Sequence, residues 1–249
     1  MNPRFSRKEI LVSTLAVEGV LAFLAVILAG LCGLLGLRHQ PVAEWQWPWT
    51  ALHWSWAAVG WGCLGAVPPL VIILLIDRYP IGPFKHVADI SDRFLRPLLR
   101  PCRWPDYFLL ATLAGFCEEL FFRGWMQPCL AQWLPLWAGV LLSGFVFALC
   151  HLITPAYFII AWIISLYLAA LLIWTDNLLV PMLTHGVYDL IAIFAVMNTK
   201  TSTPDEPDRI SARSDEIIET LPTPLSAESD SSPQAPSPSS TDREPGNDA

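Results

Sequence analysis

Three ionisable side chains, Glu118, Glu119 and Arg123, stand inside the apolar stretch AGFCEELFFRGW. An ionised side chain at the centre of a bilayer costs about 2.5 to 3.5 kcal/mol on insertion scales, so some role must offset that cost. Glu119 and Arg123 are four residues apart and can pair on one helix face, either to serve catalysis or as a purely architectural lock. Glu118 points about 100° away from Glu119, which leaves it as the freer carboxylate and the candidate general base.

Two histidines and a further acid stand in later apolar stretches. His151 follows Phe147 by four residues in FVFALCHL, and His185 precedes Asp189 by four residues in THGVYDL. A spacing of four puts each pair on one helix face. Ionisable residues of membrane helices normally face the bundle interior or a wet cavity, so we expect them to share one site with the glutamates. Glu18, in the first apolar stretch, is expected to make a polar helix contact or to touch substrate.

Carboxylates and histidines around a wet cavity are suited to activate water for attack on a carbonyl carbon. In one arrangement Glu118 takes a proton from a water molecule that His151 helps to hold. His185 and Asp189 then stabilise the oxyanion, for which Asp189 must be protonated or must orient His185. In the other arrangement, zinc bound by both histidines and a carboxylate acidifies the water. Residue types leave both open, although the HExxH pattern of soluble zinc proteases is absent.

Six apolar stretches have the length of about 20 residues that a membrane-spanning helix needs. With 54% apolar and 15% charged residues, the composition excludes an ordinary water-soluble globule. The sequence therefore predicts an all-α, polytopic membrane helical bundle with its ionisable residues on the third, fourth and sixth helices. The predicted spans are Ile10 to Leu37, Trp54 to Ile76, Tyr107 to Leu130, Trp133 to Ile153, Ala156 to Trp174 and Leu178 to Met197.

The net charge of -7 arises in the C-terminal tail. Residues 201–249 carry 11 acidic and 3 basic side chains, whereas residues 1–200 carry 11 acidic and 12 basic ones. The body therefore offers no basic surface to a nucleic acid. Basic residues collect before the first span and after the second, which marks these segments as cytoplasmic. We predict a protein of the plasma membrane of a bacterium, with both termini in the cytoplasm.

Segments outside the spans differ in composition. Apolar residues recur at helical spacing between Pro83 and Arg96, which predicts a cytoplasmic amphipathic helix that ends at Pro97. The tail, rich in Pro, Ser and acidic residues, is expected to be disordered. A tryptophan cluster predicts an aromatic belt at the outer interface, formed by Trp45, Trp47, Trp49, Trp54 and Trp56.

The chain divides into three predicted regions. Residues 1–105 hold the first two spans, the Trp-rich loop and the interfacial helix. Residues 106–198 form the catalytic core, and residues 199–249 form the acidic Pro/Ser-rich tail.

The motifs resemble, in type and order, the signature of the CPBP family of intramembrane proteases. This family is also called the CAAX protease or Abi family and is related to the eukaryotic type II CAAX prenyl endopeptidase. Its signature is two adjacent glutamates with an arginine four residues after the second, then Phe and His four apart, then His followed four later by Asn or Asp. The resemblance covers roughly Tyr107 to Met197, and position 189 is Asp here, as in bacterial members.

The resemblance implies a role for each motif residue. Glu118 with His151 would activate water, and His185 with Asp189 would form the oxyanion site. The resemblance also implies that Glu119 and Arg123 orient the site. The family has been described both as metalloproteases and as metal-independent glutamate proteases. We favour the second description, with no cofactor, and keep zinc as the alternative.

The sequence thus predicts an intramembrane endopeptidase that acts on membrane-embedded or lipid-anchored peptides. Its expected partners are a membrane protein or peptide substrate and the lipid bilayer, with no nucleic acid. The alternative is a non-proteolytic scaffold or a bacteriocin-immunity-type protein whose polar cluster only holds helices together. A small-solute transporter is less well supported, because inverted repeats are absent and only Pro68 and Pro69 interrupt a helix. Cys150 is discounted as a nucleophile because it diverges from His151 by about 100° on a helix.

Overall fold

The computed structural model describes residues 5–34, 52–79, 82 and 94–198, which lie in one compact unit, Met1–Thr201. These described residues contain no β-strand, so the predicted all-α class is confirmed. In chain order the α-helices are α1 (Arg7–Leu34), α2 (Trp56–Gly65), α3 (Val67–Arg78), α4 (Arg96–Leu99), α5 (Trp104–Leu113), α6 (Glu119–Phe121), α7 (Gln127–Leu130), α8 (Leu136–Cys150), α9 (Pro155–Thr175) and α10 (Leu179–Asn198).

Residues 104–130 form one continuous helical segment, here named the glutamate helix. Two π-helical turns, Ala114–Glu118 and Phe122–Met126, join α5, α6 and α7 within it. This segment corresponds to the third predicted span. Its charged residues and its changes of helical pitch distinguish it from the more regular helices around it.

Helical elements occupy all six predicted stretches, but not all are equally suited to cross a membrane. α8 has 15 residues, or about 22 Å of helix, whereas a hydrocarbon core is about 30 Å thick. It begins at Leu136 rather than at the predicted Trp133, because Pro135 has no N–H to continue a helix from residue 131. The polytopic helical bundle is confirmed, and the number of six spans stays a prediction. Four described segments are long and apolar enough by length and composition: Arg7–Cys32, Trp56–Ile76, Pro155–Thr175 and Leu179–Asn198.

The second predicted span is broken between α2 and α3. Pro68 and Pro69 have no N–H to donate to the carbonyl groups four residues earlier, so a regular helix cannot run through. The carbonyl of Gly65, which loses its helical partner in this way, accepts a hydrogen bond from the Tyr167 hydroxyl at 2.9 Å. The break is therefore tied to α9.

The glutamate helix and α10 come into backbone contact at two glycines. A Cβ atom added to Gly115 would lie 2.5 Å from the nitrogen of Gly186 and 2.8 Å from the carbonyl oxygen of Met182. Only a residue without a side chain fits at such a crossing. Because Gly115 precedes the glutamates by three residues and Gly186 follows His185 directly, this contact brings both sets of ionisable groups together.

The first turn of α1 is attached to the start of the glutamate helix by an ion pair. Arg7 donates from Nε to Asp106 Oδ2 at 2.7 Å and from Nη2 to Oδ1 at 2.6 Å. Asp106 also accepts the backbone N–H of Arg103 at 2.6 Å. Asp106 precedes the predicted span that begins at Tyr107, and the Arg7 guanidinium lowers its pKa to about 2. The carboxylate is therefore charged at neutral pH.

Several predicted features fall wholly or partly outside the described residues: the amphipathic helix over residues 83–93, Trp45, Trp47 and Trp49, and the tail over residues 199–249. The prediction that Pro97 ends a helix is wrong. Pro97 lies within the helical residues 94–99, and the helix continues to Leu99. Trp54 and Trp56 are described and exposed, with ring centroids 6.0 Å apart.

Candidate active site

Four of the six candidate residues line one cavity of about 290 Å³. Glu118 comes from the glutamate helix, and His151 directly follows α8. His185 and Asp189 both come from α10. The structure thus places ionisable groups from three separate helices around a single space.

Glu118 is the last residue of the π-helical turn that precedes α6. A π-helical turn contains one more residue per hydrogen-bonded ring than an α-helical turn and is frequent at functional sites. The regular α-helix assumed from the sequence is therefore wrong at this position. The side chains of Glu118 and Glu119 are 12% and 0% exposed, respectively.

Glu118 and His151 face each other at the polar end of the cavity. Glu118 Oε2 lies 3.8 Å from His151 Nε2. His151 Nδ1 lies 2.9 Å from the carbonyl oxygen of Phe147, and because a carbonyl only accepts, Nδ1 must carry a proton. A neutral His151 therefore presents the lone pair of Nε2 toward Glu118.

These two acceptors both need a hydrogen-bond donor. Glu118 Oε2 is buried and has no hydrogen-bond partner among the described residues. A water molecule can donate one hydrogen to Glu118 and the other to His151 at ordinary distances of about 2.8 Å. Its oxygen lone pairs would then point away from both side chains, which is the orientation that nucleophilic attack requires.

His185 is held between two carboxylates. Its Nδ1 lies 3.0 Å from Glu119 Oε1, and its Nε2 lies 3.4 Å from Asp189 Oδ2. Because Glu119 is paired with Arg123 and can only accept, Nδ1 donates. At 3.4 Å, Nε2 and Asp189 Oδ2 can share one further proton, which would avoid two opposed lone pairs.

Glu119 and Arg123 do not line the cavity. Their side chains are 0% and 1% exposed, and Arg123 Nη1 lies 3.0 Å from Glu119 Oε1. Arg123 Nη2 also donates to the carbonyl and to the hydroxyl of Ser165, each at 2.8 Å. The ion pair thus connects the glutamate helix with α9 and, through His185, with α10. The ion pair holds His185 on the side that faces away from the cavity. Neither Glu119 nor Arg123 can therefore contact a ligand in the cavity.

Phe147 packs between the histidines and the buried arginine. Its ring stacks on His151 with centroids 4.5 Å apart and lies 6.0 Å from the ring of His185. The Arg123 guanidinium carbon lies 4.8 Å from the centre of the same ring. Phe147 therefore fixes both imidazole rings, which explains physically why an aromatic residue stands four positions before His151.

The rest of the cavity wall comes mainly from α3, α9 and the C-terminal half of α10. It is predominantly apolar, and an apolar wall beside a few polar groups is suited to a ligand with a long hydrocarbon part and one polar bond. The apolar wall residues from these helices are Ile73, Leu74, Ile76, Ile160, Ala161, Ile164, Ala192, Ile193, Ala195 and Val196.

Two phenols that the sequence analysis did not single out also line the cavity, Tyr157 on α9 and Tyr188 on α10. The ring of Tyr188 stacks on His185 with centroids 5.1 Å apart and planes within 5°. Tyr188 follows His185 by three residues, so both side chains lie on one helix face, and this spacing could have identified Tyr188 from the sequence. Tyr157 offers no such signal, because a turn separates it from the helix that ends before His151.

Glu18 and Cys150 lie outside the cavity wall. Glu18 is 7% exposed, and its Oε2 has no hydrogen-bond partner among the described residues. Cys150 is an exposed, free thiol, so its side chain does not share the space into which His151 points.

The side chains around the cavity include types that could bind a metal ion. Across the part of the chain that the structure describes, no three His, Cys, Asp or Glu side chains lie close enough together to hold one. Both nitrogens of His185 face carboxylates, and Nδ1 of His151 bonds a carbonyl. Such contacts orient a histidine whether or not its other nitrogen holds a metal ion, so the choice between zinc and side chains alone stays a prediction.

The chain is similar to known proteins over its central part. Residues 100–191 match a family model described as type II CAAX prenyl endopeptidase Rce1-like. A curated relative, the uncharacterized protein YpbD of Bacillus subtilis (strain 168), is 34% identical over 129 residues, which cover 50% of this chain and 62% of YpbD. The chain thus aligns with less than two thirds of that relative. No solved structure matches significantly.

The family match begins just before the glutamate helix and ends within α10, and it includes all six candidate residues. The resemblance to the CAAX proteases read from the motifs is therefore confirmed. Several described helices are also long and apolar enough to cross a membrane. The chain is an integral membrane protein of helical-bundle architecture, and its residues 100–191 are similar to the Rce1-like type II CAAX prenyl endopeptidases.

Proposed function

We propose that this protein is an intramembrane endopeptidase that hydrolyses peptide bonds of membrane-embedded or lipid-anchored substrates. The observation that carries the proposal is the pair of acceptors, Glu118 Oε2 and His151 Nε2, 3.8 Å apart at the polar end of an apolar cavity. The match to an endopeptidase family supports the same chemistry.

The proposed reaction begins with a water molecule bound between Glu118 and His151. Glu118 removes one proton while the water oxygen bonds to the carbonyl carbon, and the carbonyl π electrons move onto oxygen. The C–N bond then breaks, and Glu118 returns the proton to the leaving amine. The products are a carboxylic acid and an amine, and Glu118 regains its starting state.

The remaining residues act on the intermediate and on the geometry. The proton shared by His185 and Asp189 can be directed at the developing oxyanion, which removes the difficulty that an anionic Asp189 would repel it. Glu119 and Arg123 hold His185 in place from their buried positions. No step of this proposed reaction requires a metal ion. Loss of activity on treatment with a chelator would instead support zinc as a cofactor.

The apolar wall supports a hydrophobic substrate. It extends along α10 toward Asn198, the end that the charge distribution assigns to the cytoplasm. A membrane-embedded segment or a lipid chain can lie against this wall while the peptide bond reaches Glu118. Entry is therefore proposed from the cytoplasmic half of the membrane.

The test compares new peptide termini in the membrane proteome of cells that carry wild type, Glu118→Ala, Cys150→Ala or no copy. We expect termini that are present in wild type and Cys150→Ala and absent from the other two. The control removes an exposed thiol beside His151 without touching the cavity. Treatment of wild-type membranes with a zinc chelator is expected to leave the termini unchanged.

The opposite result has a clear meaning. If Glu118→Ala matches wild type while the strain without a copy differs, the protein acts without this carboxylate. The scaffold or immunity-type alternative, in which the polar cluster only joins helices, would then replace the protease.

A further inference from the structure

The oxyanion of the proposed reaction needs more hydrogen-bond donors than His185 and Asp189 supply. Nδ1 of His185 donates to Glu119 at 3.0 Å, so it is not available. Only the proton shared between Nε2 and Asp189 remains on that side. Oxyanion sites are built from preorganised donors, and removal of one donor typically costs 100- to 1000-fold in rate.

Tyr157 lies on the cavity wall beside the proposed water site. Its ring centroid is 6.5 Å from that of His151, and it lines the same cavity as Glu118 and Asp189. The phenol is therefore close to the groups on both sides of the reacting carbonyl. Its O–H keeps its proton at neutral pH and can donate it in a hydrogen bond.

The backbone of Tyr157 is fixed relative to His151. Thr154 caps α9, and its hydroxyl accepts the N–H of Tyr157 at 3.2 Å. Pro155 occupies the first turn, where its ring restricts the backbone further. The short turn from His151 to Thr154 thus places the phenol of Tyr157 at the same cavity as His151.

The hydroxyl of Tyr157 differs from those of two structural tyrosines. Tyr107 donates to backbone carbonyls of residues 99 and 102, and Tyr167 donates to that of Gly65. Among the described residues no group accepts a hydrogen bond from the side-chain hydroxyl of Tyr157, whereas its backbone N–H donates to Thr154. Tyr157 is half-buried and lines the cavity, so its free hydroxyl can donate a hydrogen bond to a ligand there.

We propose that Tyr157 is a catalytic residue whose hydroxyl donates a hydrogen bond to the oxyanion of the tetrahedral intermediate. The proposal rests on the proposed protease function. Tyr188 is less suited to this role, because its ring is stacked face to face on His185 and it is only 6% exposed. Tyr157 lies beside His151, next to the proposed water site.

The test measures how fast Glu118-dependent termini appear in membranes that contain equal amounts of each variant. Tyr157→Phe keeps the ring and removes the donor, so the rate should fall about 100-fold. The matched control is Tyr167→Phe, which loses a hydroxyl on the same helix that points at Gly65 rather than into the cavity. Its rate should stay within about threefold of wild type, even if its melting temperature falls.

The outcomes separate the two claims. If Glu118→Gln abolishes the termini and Tyr157→Phe forms them within about threefold of the wild-type rate, the role of Tyr157 is refuted while the protease function stands. If no termini depend on Glu118, the protease function fails and the role of Tyr157 fails with it. A folded Tyr157→Phe protein with a 100-fold slower rate supports both.

Discussion

Glu118 and Glu119 are neighbours in sequence but belong to two different regions of the molecule. Glu118 lines the cavity, is 12% exposed and has a buried oxygen with no hydrogen-bond partner among the described residues. Glu119 is fully buried and contacts both Arg123 and His185 at 3.0 Å. The first arrangement leaves a carboxylate free to react, whereas the second uses one to join helices.

This difference separates two kinds of expected defect. Substitutions in the buried region should reduce the free energy of unfolding, and activity should fall with it. Substitutions in the cavity should reduce activity at little or no cost in stability, because reactive groups are seldom optimised for stability.

The largest effect on stability is expected for Arg123→Ala. Removal of one partner from a buried ion pair leaves an uncompensated charge and costs about 3–5 kcal/mol. The measurement is the free energy of unfolding in detergent micelles. Lys8→Ala, which removes an exposed cation of α1, should change it by about 0.5 kcal/mol or less. Equal stability of both variants would contradict the structural role of the pair.

A smaller effect is expected for Gly115→Ala. The new Cβ would lie 2.5 Å from the backbone of Gly186, so the glutamate helix and α10 must separate, at a cost of about 1–3 kcal/mol. Activity should fall as well, because Glu118 moves away from Asp189. Gly60→Ala is the control, since its Cβ would meet nothing within 4 Å. If Gly115→Ala and Gly60→Ala have the same free energy of unfolding and the same activity, the close approach of the two helices is not needed for stability or activity.

The smallest effect is expected at the periphery, for Asp106→Asn. Because the folded state lowers the pKa of Asp106 to about 2, its ion pair stabilises the protein above about pH 4 and is lost as the pH falls toward 2. At pH 7 the melting temperature of wild type should be higher than that of Asp106→Asn, and this difference should vanish near pH 2. When both proteins also carry Arg7→Ala, the difference in their melting temperatures should depend less on pH. A difference that does not vary with pH would refute the ion pair as its cause.

Several features of this site were readable from spacing. Glu119 and Arg123 four residues apart predict the ion pair that the structure contains. The six apolar stretches predict a bundle of helices, because a hydrocarbon environment requires every backbone group to be bonded within its own helix. Such signals are local, since each depends on residues within one or two helical turns.

Other features depend on contacts between distant segments and had no local signal. The π-helical turns around α6 arise within an apolar sequence that regular helical spacing describes equally well. The position of Tyr157 depends on the turn before α9 and on the packing of three helices. The mutual fit of Gly115 and Gly186 joins segments 71 residues apart, so the sequence could not reveal it.

The most direct test of the central claim measures proteolysis and stability side by side for Glu118→Gln and Glu119→Gln. Both substitutions keep the size of the side chain and remove its charge. We expect Glu118→Gln to keep the wild-type free energy of unfolding and to lose about 1000-fold in the rate of cleavage. Glu119→Gln should lose stability, because Arg123 is then buried without a counter-ion. A stable Glu118→Gln protein that cleaves at more than about a tenth of the wild-type rate would contradict the claim that Glu118 activates the water.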